Sequence, residues 1–148
     1  MSENNYQLVA WTENGEIKFS GYAMWEQEML LQDEIDSIDT DSLDWDSYSR
    51  LTHLYWEWGM LLIGMKENWE AYDRFKDGLY VCMEAIRFIH FPKDGGINPF
   101  LLAMEDLIEG CHSAALNDLE QGGTLEEVFH EEAFHDMRRQ LWRGISQG

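Results

Sequence analysis

The sequence predicts a mainly α fold, α+β only at the margin: about five helices forming a compact helical bundle with a small N-terminal β-hairpin. Three observations carry this. Apolar side chains recur with a period of 3.6 over residues 47–65, 67–90 and 99–120. Cap and breaker residues punctuate those runs at Asn98-Pro99, Gly122-Gly123 and Thr124. Strand-like alternation is confined to the first twenty residues.

Taken in order, YQLVAWTENGEIKFSGY reads as the hairpin, with strand-like residues 6–11 and 16–19 around Asn14-Gly15, a pair suited to tight hairpin turns. Residues 1–21 form this unit. A short helix over about 22–35 follows, with Met24, Leu31 and Ile35 near one face, and it runs into an acidic loop ending at residue 46. Residues 47–90 are a central helical pair. In its first helix, Leu51, Leu54, Tyr55, Trp58, Leu61, Leu62 and Met65 make the stripe. Trp69, Tyr72, Phe75, Leu79, Cys82, Met83, Ile86 and Ile89 make the stripe of its second. After the breaker FPKDGGINP, Asn98 is placed to cap a helix over 99–120 with Pro99 at its first position. Gly122-Gly123 ends it, and Thr124 with Glu127 predicts a capping box for a last helix over 125–145. Residues 98–145 thus read as an antiparallel helical hairpin.

A chain of 148 residues with seven Trp, seven Phe, six Tyr and eight Met can bury a core as one domain. Cys82 and Cys111 sit within apolar helical patterns, as free buried thiols do in a reducing compartment. The N-terminus lacks a signal-peptide pattern, and the longest apolar run, residues 58–65, is far short of the roughly 20 residues that span a bilayer. A cytoplasmic protein is expected.

The net charge is -19, and its distribution says more than its size. Residues 19–49 hold nine acids and no base, residues 50–93 hold six of each, and residues 94–137 hold eleven acids and no base. Such segregation has a cost, because like charges at i,i+4 destabilise a helix by about 0.2–0.5 kcal/mol per pair. Glu105–Glu109, Glu127–Glu131 and Glu132–Asp136 are pairs of this kind. A positively charged partner would offset that cost.

The expected partner-binding residues are Asp33, Glu34, Asp36, Asp39, Asp41, Asp44 and Asp46 in the first block, with Trp45 as an exposed apolar anchor among them. In the second block they are Glu105, Asp106, Glu109, Glu120, Glu126, Glu127, Glu131, Glu132 and Asp136. Alternate residues of an extended segment lie about 6.6–6.8 Å apart on one face, and helical i,i+4 neighbours lie about 5–6 Å apart. Both spacings approach that of successive phosphates. The chain is therefore expected to be a small acidic inhibitor or interaction protein that binds a basic, nucleic-acid-handling protein by mimicking nucleic acid. It should bind neither nucleic acid nor membrane directly, and a homodimer is compatible with it. In size, acidity and helical character it is similar to phage-encoded anti-defence proteins, CRISPR and restriction inhibitors included, and to immunity proteins that neutralise nuclease toxins.

Two other readings compete. One is a structural or adaptor protein whose acidity serves solvation. The other is a carboxylate metal protein, because Glu109-x-x-His112 and Glu132-x-x-His135 place two Glu/His pairs level across the expected C-terminal hairpin. The further Glu ligands of such a site are not evident, HEEAFH is not HExxH, and the aspartate run lacks the glycine and closing glutamate of a calcium loop. No phosphate loop, CxxC pair or nucleophile elbow is present, so no enzyme, catalytic residue or cofactor is expected.

Overall fold

The computed structural model describes residues 10–13, 16–19, 21–39, 41, 43–92, 96–132, 134, 136 and 139. The chain is mainly helical. β1 (Ala10–Glu13) and β2 (Glu16–Phe19) pair antiparallel with Ala10 opposite Phe19; the expected turn at Asn14-Gly15 lies outside the described residues. Five helices follow among the described residues: α1 (Gly21–Ser37), α2 (Trp45–Gly64), α3 (Asn68–Phe88), α4 (Pro99–Glu120) and α5 (Leu125–Glu131).

Helices α2, α3 and α4 form the centre because their apolar stripes meet on Phe75, which is fully buried. The ring sits between two glycines. A Cβ on Gly59 of α2 would lie 2.5–2.7 Å from its carbons, and one on Gly110 of α4 would lie 2.6–2.7 Å away. Only bare backbone fits at both contacts. Trp45 and Tyr48 at the start of α2 pack on Phe100 at the start of α4, so α2 and α4 run parallel, with α3 antiparallel to both. Helix α1 lies antiparallel along α2, held by Leu31 against Leu54 and Leu61. Trp58 Nε1 donates to Glu28 Oε2 at 2.9 Å and Arg50 pairs with Glu34 at 3.0 Å along the same contact. Trp69, expected on an inner stripe, is exposed.

Two helices end in the same hydrogen-bonded motif with different residues. After α4, Gly122 takes φ +86°, its N–H reaches Leu119 O, and Gly123 N–H reaches Asp118 O. After α2, Lys66 takes φ +63°, its N–H reaches Ile63 O, and Glu67 N–H reaches Leu62 O. A left-handed backbone crowds the Cβ of lysine but costs glycine nothing sterically. Lys66→Gly is therefore expected to stabilise the fold by about 1 kcal/mol in urea denaturation. An unchanged or lower midpoint would contradict this.

The C-terminal hairpin differs from expectation in two ways. Thr124 makes no side-chain cap; the first N–H of α5, that of Leu125, donates at 3.0 Å to Asp118 Oδ2 of the preceding helix. Asp118 is 8% exposed, and a side chain at Gly123 would run into its carboxylate, so the glycine there makes room for the cap. Asp118→Ala should cost about 1–2 kcal/mol. Amides of residues 125–131 should then exchange faster than those of α3, and equal protection in both would contradict the assignment.

The second difference is a break at Glu132, beyond which Phe134, Asp136 and Arg139 are again helical. Helix α5 stops at Glu131, because Glu132 is extended (φ -74°, ψ 138°). Tertiary contacts overrule the helical pattern here. The break lets Glu132 Oε1 meet Lys76 Nζ at 2.9 Å and turns Phe134 into the core against Tyr72 and Phe129.

Candidate functional site

The acidic stretch 37–47 holds two carboxylates with local structural work. Asp39 Oδ1 accepts from Asp41 N–H at 2.9 Å, closing a turn. Asp44 caps α2: its Oδ1 accepts from Ser47 N–H at 2.8 Å, and that bond holds its carboxyl below the ordinary aspartate range. Trp45, expected as an exposed anchor, is half-buried instead. It stacks on Phe91 at 5.8 Å and meets Phe100 edge-on at 4.9 Å, because the first residue of α2 faces the start of α4. Asp36, Asp41 and Asp46 are exposed.

Exposed apolar residues stand on α1 rather than at Trp45. Trp25 is 53% exposed, and Met29 and Leu30 are also exposed. Spacing of i, i+4 and i+8 places Trp25, Met29 and Asp33 in one row, which adjoins the acids directly. The sequence signal was there: once Leu31 and Ile35 face α2, Trp25 and Met29 must face away.

Two clefts flank α2. Between α1 and α2, a cleft of about 370 Å³ is lined by Leu30, Asp33, Glu34 and Ser37 on one side and Glu57 on the other. Between α2 and α4, a cleft of about 360 Å³ has Ser49, Thr52 and Trp56 on one wall and Ala103, Asp106 and Leu107 on the other. His53 lines the second cleft and Glu57 the first, and the two side chains meet at 2.8 Å across the α2 ridge. Both clefts therefore open beside the same strip of α2. Asp33 and Glu34 of the first acidic block and Asp106 of the second share one face of the molecule. Asp46 lies one turn above Ser49 on the same row of α2, and exposed Glu109 lies one turn beyond Asp106 on α4. Glu105, beside them, is half-buried.

The remaining acids gather elsewhere. Glu120, Glu126, Glu127 and Glu131 lie where α4 turns into α5, at the opposite end from the α2 N-terminus. Glu126 meets His130 at 3.4 Å, Glu132 is engaged by Lys76, and Asp136 lies 3.7 Å from Arg139. Lys76 Nζ donates to Glu132 Oε1, and that hydrogen bond raises the pKa of Lys76.

Of the two Glu-x-x-His pairs, only Glu109 and His112 lie wholly within the described residues. Glu132 takes an extended backbone at the end of α5, and His135 lies outside the described residues. His112 lies flat on Phe129, with centroids 5.2 Å apart and planes at 12°, while Glu109 is exposed. Among the described residues, no three His, Cys, Asp or Glu side chains come together as a metal site.

Cys82 and Cys111 are free and buried, and burial pushes both thiols up to about 12. Burial likewise raises the Tyr72 phenol. An unfolded thiol titrates near about 8.5, so above that pH the unfolded chain sheds protons that the folded chain keeps. Stability should be unaffected by these thiols below about pH 8 and fall steadily as pH rises from about 9 towards 12. Thermal melting across that window checks the sign. A midpoint that rises there would contradict it, as would thiol labelling of the native protein at pH 8 as fast as that of the unfolded one.

No helix among the described residues is long and apolar enough to cross a membrane. No protein-family model, curated protein or solved structure matches the chain.

Proposed function

We propose that this chain is an acidic docking protein that binds the basic surface of a nucleic-acid-handling protein and thereby blocks it. One observation carries the reading: Asp33 and Glu34 from the first base-free block and Asp106 from the second line two clefts on either side of the same α2 ridge. Segregated acids that converge on one face cost self-repulsion in the free protein and gain it back against a Lys/Arg-rich surface. Trp25, Met29 and Leu30 at the edge of that face supply the apolar contact that ion pairs alone lack. Asp39 and Asp44 are exposed but also close a turn and cap α2, and Trp45 packs on Phe100.

The test is capture from nuclease-treated host lysate on the immobilised protein, eluted with rising salt. A basic, nucleic-acid-handling protein released as salt rises supports the reading. Capture only of neutral or acidic proteins, or of further copies of this chain, would overturn it.

A further inference from the structure

We propose that the α2/α4 cleft is an arginine pocket: it receives the guanidinium of a single arginine side chain, presented by the docking partner. The source of that arginine rests on the docking reading; the chemistry of the cleft stands on its own geometry. Phe100 and Leu107 are buried and give the cleft an apolar floor. Trp56 and His53 form an aromatic wall, their planes within 21° of each other and their centroids 6.0 Å apart. Asp106 is exposed at the rim, with no hydrogen-bond or ion-pair partner among the described residues. Exposed Ser49 lines the α2 wall, whereas the buried Thr52 hydroxyl accepts from Cys82 Sγ at 3.7 Å.

Each of these features selects against a class of ligand. Asp106 and a net charge of -19 repel an anion. A neutral apolar ligand would cover the floor but desolvate the Asp106 carboxylate without pairing it. A lysine ammonium would pair with Asp106 as a point charge, but it is strongly hydrated and has no flat face for the aromatic wall. A guanidinium is planar and weakly hydrated, so it can stack on Trp56 while its fork of N–H groups donates to the Asp106 carboxylate. Its three methylenes match the apolar floor. The volume of about 360 Å³ is ample for one such side chain and too small for a folded element.

The test needs no partner. The ¹⁵N-labelled full chain is titrated at low salt with N-acetyl-arginine N-methylamide, and in parallel with the lysine analogue. The arginine probe should shift the Trp56 indole N–H and the Ser49, Thr52 and Asp106 amides, and the lysine probe should bind more weakly. Asp106→Asn should weaken the arginine probe about tenfold or more, and Ala103→Leu, which fills the cleft, should abolish the shifts. Both variants are checked for unchanged melting. Shifts spread evenly over all acidic surfaces, equal binding of the two probes, or an Asp106→Asn variant that binds like the parent would each overturn the pocket. Arginine entering the cleft when lysate capture fails sinks the docking reading and leaves the pocket standing; capture of a basic protein without any cleft shift does the reverse.

Discussion

Gly59→Ala and Gly110→Ala are each expected to destabilise the protein by about 3 kcal/mol, at the upper end of what an added methyl usually costs a packed core. Helix propensity alone predicts the opposite sign, a gain of about 1 kcal/mol for glycine to alanine within a helix. The two effects can be separated because the Phe75 ring is trapped: moving away from one new methyl drives it onto the backbone of the facing helix. The combined variant should therefore fail to fold under conditions where the parent is stable. Phe75→Leu introduced beside Gly59→Ala should recover part of the loss, whereas Phe75→Leu alone should destabilise, which is the signature of coupled neighbours. A Gly59→Ala variant that melts at or above the parent temperature would show that α2 does not approach the ring this closely.

The second large effect is on binding. Asp33→Lys with Asp106→Lys should slow association with the captured partner by about 10–100-fold at low salt and flatten the dependence of affinity on salt. Glu70→Lys with Asp73→Lys makes the matched control. These acids are exposed on α3, which lines neither cleft, and the change in net charge is the same. Bulk charge acts on both pairs equally, so the control should stay within about threefold of the parent. Asp44 is left intact in both, since its reversal would remove the α2 cap together with the charge. Equal losses in the two variants would mean that net charge, and not this face, drives the encounter.

How far the sequence foretells this molecule depends on whether a residue's partner is near it in the chain. The four long helices are legible because their apolar stripes and the Asn98 cap are local patterns; Asn98 Oδ1 accepts from Phe100 N–H at 3.0 Å, two residues on. Asp118 as the cap of α5 is not legible, because the local rule favours Thr124 and only the folded turn brings Asp118 to Leu125. The break after α5 has the same origin, since Lys76 and Tyr72 lie far upstream of Glu132 and Phe134. Trp45 departs from the role that its neighbours suggest: aspartates flank it, yet α4 supplies an aromatic surface for it to cover. The charge blocks are visible at a glance. Their convergence on the α2 ridge is not, because it depends on α2 and α4 running parallel.

Carbodiimide footprinting of the chain, free and in complex with the captured partner, tests the central claim most directly. The account predicts that Asp33, Asp46, Asp106 and Glu109 lose reactivity on complex formation, while Glu70 and Asp73 on α3 keep theirs. Protection of the α3 acids with Asp33 and Asp106 still fully reactive would contradict it.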